Sequence, residues 1–582
     1  MRAARATWTL ACVAVGALGC SVPYGAELVE RQVNECSSSK DCGSDGVCVS
    51  NVCVATKVDL PGLVLEVRPH ADAAFGATTS FFFKPGNEAG LVGGSEGGVT
   101  AKFSPKLAAP VKITSGQVLP YAAQAPCAIT GERLTFYERP ELLGLPVNAP
   151  IKVTTDGAHA FTAALRPATY DVYIEPQVDA VGCPTPPPVF YPGQVIEEAT
   201  TSFTRQLPQP SKLTGQIYVP VSVPGSVPGS VTKWVVDVVE RRRGARVSTT
   251  QELVQQPVAF HVDIDIDFTW REEDDAPLLR LAPPAGEAGP TVYWDLKAVG
   301  GSKDNPIVSL SIADLLIKSR TVKPFIMFGT SPAKASLTIQ SVALSGEVAK
   351  NATFSLDVPE TNPDGSVSLA LPPGDYAVRV FPHDPRLAVT DATLTVPPLK
   401  PGESEDGCVC GKVIAVGEKA ILQGIAFTPS GEALVGVNVG TVPSQPGESS
   451  FLKDQHFLGP LSARTASATT DELGRFLLEV DPGSSDLTVQ PGPGSGFPWL
   501  VRPRVTIQQG AKLDALTLTN PAFLSGDVRD PNGLAVGNAD VNAWLPLPDP
   551  DGDGASTVIL IATTATNAGG SYTLVLPSSL TK

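Results

Sequence analysis

The sequence predicts an all-β protein: tandem antiparallel β-sandwich modules behind a short disulfide-rich N-terminal segment. Three observations carry that expectation. Pro (55) and Gly (54) are abundant in the 582 residues without any three-residue period, so turns punctuate many short elements. Several stretches alternate apolar and polar residues, turn at Pro or Pro-Gly, and alternate again; Gly365 to Val380 is one. A strand-opening motif centred on glycine recurs at Gly116, Gly215, Gly346, Gly424 and Gly526. Length sets the scale, since a chain this long exceeds one core and divides into several domains.

Taken in order, the chain opens with a basic Met1-Arg2-Ala3-Ala4-Arg5, an uncharged apolar run from Trp8 to Leu18, and Ala17-Leu18-Gly19-Cys20. The apolar run is too short for a permanent membrane span. The segment resembles a bacterial lipoprotein signal, although Ala17 stands where such signals usually carry Leu. The resemblance implies cleavage before Cys20 and a lipid on its thiol, so the chain reaches the membrane through an N-terminal lipid. An ordinary secretory signal is the alternative. Ser21 after Cys20 carries no inner-membrane retention signal, so the family rule implies the outer membrane or cell surface.

The cysteines agree with export. Beyond Cys12 and Cys20 eight remain, an even number. Cys36, Cys42, Cys48 and Cys53 crowd a segment too short to bury a core, so two disulfides are expected there, with three connectivities open. Zinc is the rival, but it favours tighter Cys pairs. This segment resembles small cysteine-rich pieces that follow the anchor in myxobacterial-type lipoproteins. Cys127 and Cys183 flank the first closing hairpin and are expected to pair. Cys408 and Cys410 are one residue apart; oxidative pairing is the default, with a redox or metal role as the alternative.

The periodicity divides the remainder into 57–208 (a first sandwich region), 209–325 (a divergent β-rich domain), 326–415 (a sandwich module with linker), 416–518 and 519–582. Residues 1–19 are the signal and 20–56 the anchor and cysteine-rich segment. Three closing motifs, at Ala160 to Pro176, Gly365 to Val380 and Gly474 to Val489, read as β-hairpins with one buried face. Phe260 to Trp270 alternates strictly, and Ser311 to Lys318 reads as one short helix. The last two modules share a strand, a Pro-x-Gly turn at 429–431 and 531–533, a Val strand, a Thr-rich turn before glycine and an aromatic strand. In this order they resemble the carboxypeptidase regulatory-like domain, a seven-strand transthyretin-like sandwich akin to collagen-adhesin B-type repeats. The final module stops where other copies begin their last strand, so it is expected either to lack an edge strand or to be cut short.

Catalysis finds little support. His70, His159, His261, His383 and His456 are scattered without zinc-ligand spacing, and the zinc domain of metallocarboxypeptidases is absent. Gly93-Gly94-Ser95-Glu96-Gly97 fits a nucleophile elbow by composition, but a strand-like sequence follows it where a helix is required. Asp549, Asp551 and Asp553 resemble the first half of a calcium loop, with Leu560 where the bidentate Glu belongs; calcium is the one cofactor the sequence suggests. His261, Asp263, Asp265 and Asp267 fall on one strand face about 6–7 Å apart, a solvated face or a cation-attracting row. A formal charge of −16 repels phosphate backbones and excludes nucleic acid as a partner. The expectation is a non-catalytic, lipid-anchored envelope protein whose modules act as spacers or as adhesion modules for a protein or glycan. An accessory subunit of an envelope export, motility or polysaccharide machine is the alternative.

Overall fold

The computed structural model describes residues 36–580 except 43–45, 50–51, 56–59, 61, 71–78, 84–100, 122–126, 143, 180, 220–232, 242, 255–259, 272–275, 284–290, 298–306, 309–319, 346–351, 399, 401–407, 445–463, 493, 509–510 and 549–556. The described residues form strands and a single 3₁₀ turn at Ser39–Cys42, so the all-β expectation holds.

One seven-strand sandwich recurs five times. In unit one the strands are Val111–Leu119, Gly131–Glu138, Ile151–Thr154, Ala160–Leu165, Ala168–Gln177, Val189–Ile196 and Ser202–Gln206. The first strand lies between the fourth, antiparallel, and the seventh, parallel. The third, second, fifth and sixth form the facing sheet. Unit two (Ser211–Val219 to Ile307–Val308), unit three (Arg320–Phe328 to Val409–Ala415, with an added two-residue strand, Ser331–Pro332, beside its first) and unit four (Ala420–Phe427 to Leu516–Thr517) repeat that order. Many strands bury alternate residues against the opposite sheet, and Arg475–Val480 alternates exposed and buried along its whole length, while Leu63–Arg68 is buried throughout except at Arg68.

The fifth unit is assembled from both ends of the sequence. Its first four strands are Pro521–Asp527, Asp540–Leu547, Thr557–Ala565 and Ser571–Pro577. Its fifth, sixth and seventh are Leu63–Arg68, Thr79–Phe83 and Ala101–Lys102. Leu63–Arg68 pairs antiparallel with Asp540–Leu547 (Glu66 opposite Asn542), and Ala101–Lys102 runs parallel to Leu524 and Ser525. One core holds both contributions: Leu63, Leu65, Val67 and Leu107 pack with Leu524, Val541, Leu545, Tyr572 and Leu574. The last module therefore lacks no edge strand, because the missing strands come from 63–102. The expected region 57–208 is correspondingly two things, a donated segment up to Leu107 and unit one.

The expected division at 325/326 also shifts. It falls inside Arg320–Phe328, the first strand of unit three. Units two and three share one hydrophobic core, because Thr291–Asp295 pairs with Ala352–Val358 and merges two four-stranded sheets into one of eight. The stretch expected to be divergent has the same topology as its neighbours.

Two further expectations change. The closing motifs are not hairpins: Ala160–Leu165 and Ala168–Gln177 belong to opposite sheets, as do Leu369–Leu371 and Gly374–Pro382, and Arg475–Val480 and Gly483–Gln490. Both arms alternate because both face one core, and alternation does not reveal which sheet an arm joins. A buried tyrosine braces two of these arches from inside, Tyr170 Oη donating to Arg166 O at 2.9 Å and Tyr376 Oη to Pro372 O at 2.6 Å. The glycine motif marks the first strand in units one, two, four and five, but Gly346 follows the second strand of unit three and lies outside the described residues. The glycine is needed where an aromatic residue of the fourth strand crosses it: a Cβ at Gly116 would sit 2.7 Å from the Phe161 ring, and one at Gly424 2.7 Å from Phe476.

Candidate functional site

Several nominated positions lie outside the described residues: Cys20, Gly93 to Gly97, the Ser311 to Lys318 helix, His456, and Asp549, Asp551 and Asp553. The eight remaining cysteines are all placed. Cys36 pairs with Cys48 and Cys42 with Cys53, around the hairpin Gly46–Val49/Val52–Ala55. The sulfurs of Cys36, Cys42 and Cys53 lie within 4.8 Å of one another because two bridges are adjacent. Asp41 accepts from Ser37 N and Ser38 N at 2.8 Å each, and these donors hold its carboxyl below the usual range. Ala55 enters the unit-five core, so the knot sits on that unit. Cys127 pairs with Cys183, and Cys408 with Cys410.

The acidic row on Phe260–Phe268 is partly met by the neighbouring strand. Lys212 Nζ stands 2.8 Å from Asp265 and 3.9 Å from Asp267, and its hydrogen bond to Asp265 raises its pKa. Both partners are largely exposed, which makes this a weak, screened pair. The histidines do not converge among the described residues, but His159 meets a group that its sequence context gave no reason to expect. Its Nδ1 lies 3.0 Å from the carboxylate of Glu132, which is fully buried in the second strand of unit one. Thr155 Oγ1 donates to that carboxylate at 2.7 Å and accepts from Glu132 N at 2.7 Å. With its hydroxyl engaged twice, Thr155 is a clasp for the carboxylate and not a nucleophile. His159 sits at φ 60° in a turn whose backbone N–H groups at Ala158 and Ala160 bond to Asp156 Oδ1.

Two other buried carboxylates bridge neighbouring units, and a third ties the two parts of unit five together. Asp171, in the fifth strand of unit one, accepts from Arg139 Nε at 2.5 Å, from Arg243 Nε of unit two at 2.8 Å and from Gly193 N at 3.0 Å. Burial pushes its carboxyl up, but the two guanidinium groups and the amide outweigh that and hold it below the usual range. The same seam carries Tyr173 Oη donating to Arg246 O at 2.8 Å and Thr269 Oγ1 to Pro188 O at 2.8 Å. Asp481 of unit four accepts from Val389 N of unit three at 2.9 Å and from Arg464 at 2.8 Å, and Arg464 also donates to Leu387 O. Glu66, fully buried, accepts from Trp544 Nε1 at 2.7 Å, Asn542 Nδ2 at 3.3 Å and Arg68 Nη2 at 2.9 Å, which ties the donated strand to its recipient. Sequence reasoning missed all three. Their only signal is an acidic residue set among apolar neighbours, as in Leu63 to Arg68.

Two clefts open between unit five and unit one. One, of about 420 Å³, is lined by Ser80, Phe82, Glu141, Val147, Arg166 and Val195. The other, of about 820 Å³, includes Thr79, Lys106, Lys112, Glu198, Thr201 and Pro531. Phe82, Val147 and Val195 are 40%, 46% and 61% exposed, so the first cleft offers apolar surface beside acids. Burial pushes the Glu141 carboxyl up, against the pull of Arg166. This arrangement suits contact.

No helix among the described residues is long and apolar enough to cross a membrane. No family model matches the chain, and no curated protein does. Among solved structures, a streptococcal ancillary pilin is 13% identical with a TM-score of 0.20, covering 53% of this chain and 98% of its own. The shaft pilin SpaA of Lactobacillus rhamnosus GG is 13% identical with a TM-score of 0.17, covering 34% and 96%. The Bacillus anthracis TIE protein is 9% identical with a TM-score of 0.15, covering 69% and 73%. At such scores these likenesses carry no argument, and the five-fold sandwich stands on its own strand order.

Proposed function

We propose that the chain is an exported, non-catalytic cell-envelope protein, anchored by a lipid on Cys20 in the outer membrane or at the cell surface. Its sandwiches act as a stiff spacer that presents contact surfaces to a protein or glycan. One observation carries this reading: units one to four are locked to one another. Buried carboxylates span the seam of units one and two and that of units three and four, and units two and three share a sheet. Two of the joins are short, Ala108–Pro110 leading into unit one and Val416–Lys419 into unit four, whereas 309–319 lie between the strands of units two and three. Chains built for independent module motion use longer flexible joins. The signal-like N-terminus supports export, and the resemblance to regulatory-like repeats supports a binding role.

The test is intact mass and membrane fractionation of the full chain in a Gram-negative host, beside Cys20→Ala. Lipid mass on the wild type in the outer membrane, with a soluble variant, is the expected result. An unmodified wild type in the soluble fraction would overturn the anchor.

A further inference from the structure

Cys408 and Cys410 differ from the other six paired cysteines in every respect that decides whether a disulfide is structural. The other bridges span separations of 12, 11 and 56 residues, and their cysteines are buried or half-buried. This one spans two residues, and both cysteines are exposed. A bridge over so short a loop restricts the unfolded chain very little. It joins no units either, because Val409 and Cys410 are already held by parallel pairing with Val322 and Lys323. The bridge stands on the outer strand of its sheet, followed by Gly411 at φ 82°, where nothing crowds it.

Its surroundings suit exchange. Lys323 is the register partner of Cys410 across the ladder, with its ammonium 5.6 Å from the centre of the Phe325 ring, and Lys412 follows two positions later. A neighbouring ammonium stabilises a thiolate and so improves it as a leaving group. Glu403, Glu405 and Asp406 precede Cys408 in the sequence, and Lys412 follows Cys410.

We propose that the Cys408–Cys410 disulfide is a thiol–disulfide exchange site that takes two electrons from a dithiol of another exported protein. One substrate thiolate attacks Cys408 Sγ; the S–S bond breaks, and its electron pair leaves with Cys410 Sγ, which takes up a proton. The second substrate thiolate attacks the substrate sulfur of the mixed disulfide and releases Cys408 as a thiol. The substrate loses two electrons and two protons and gains a disulfide, while Cys408 and Cys410 gain both as thiols.

The test uses the full chain in graded reduced/oxidised glutathione buffers, with alkylation and peptide mass mapping, and a synthetic Cys-x-x-Cys peptide as substrate probe. Cys408 and Cys410 are expected to be alkylated at ratios that leave the other six cysteines protected. The probe should be oxidised one-for-one with the chain, and Lys323→Gln should slow this roughly fivefold without moving the melting temperature. A Cys408→Ser/Cys410→Ser variant should melt like wild type and oxidise no probe. Reduction of this pair only together with the other bridges, or a probe left unoxidised by wild type, would overturn the proposal. An unchanged rate in Lys323→Gln would overturn the assignment of Cys410 as leaving group.

Discussion

Truncating Leu65 should loosen strands that lie more than 450 residues away in sequence and leave the adjacent unit untouched. Leu65 is fully buried in the unit-five core, opposite Ala543. Replacing a buried Leu by Ala removes its transfer free energy and leaves a cavity, at a cost of about 3 kcal/mol. At about 1.4 kcal/mol per tenfold change, the opening equilibrium of the unit rises roughly a hundredfold. Native-state hydrogen exchange of Leu65→Ala, read by peptide mass, measures this directly. Amides of Pro521–Asp527 and Asp540–Leu547 should exchange faster by that factor, while those of Gly131–Glu138 keep wild-type rates. Acceleration in Gly131–Glu138 with none in Asp540–Leu547 would refute the reasoning, since 63–68 would then belong to an independent N-terminal module.

Two other perturbations address the seams and staples. Asp171→Ala strands Arg139 and Arg243 beside a buried site; with 24% and 34% of those side chains exposed, the cost is discounted to roughly 2 kcal/mol, seen as an earlier denaturant midpoint. Because the folded pKa of Asp171 lies below its unfolded value, its contribution is complete above about pH 4 and fades as pH falls through the folded value, so Asp171→Asn should lack that part of the acid-induced loss in a melting series. Replacing Cys127 and Cys183 by Ser releases a 56-residue separation and should cost up to about 4 kcal/mol in chemical denaturation; an unchanged midpoint would mean the unfolded chain gains little freedom.

Much of the fold was legible because a half-buried strand records its inner face every second residue. Asp263 to Phe268 and Arg475–Val480 could be read almost residue by residue. Pairing was not legible, because hydrogen bonds between backbones leave no mark on side-chain identity. The closing motifs therefore passed for hairpins, and nothing in Leu63 to Arg68 pointed to Asp540–Leu547. The shortfall of strands after Ser571–Pro577 was visible, yet its remedy lay at the opposite end of the chain. At the candidate sites, spacing located the cysteines, whereas Asp171, Asp481 and Glu66 acquire meaning only from the arginines, tryptophan and amides that folding brings to them.

The split unit also governs the order of events when the chain is made. Leu63–Arg68, Thr79–Phe83 and Ala101–Lys102 emerge before units one to four, yet the strands that cover them emerge after all four. Until Pro521–Asp527 and Asp540–Leu547 arrive, Leu63, Leu65 and Val67 have no core to enter, and a protease or chaperone meets them as an open apolar edge. Closure thus signals that every intervening unit has been delivered. A chain stalled before Pro521 keeps that edge uncovered, whereas one that has reached Ser571–Pro577 holds both segments in a single core.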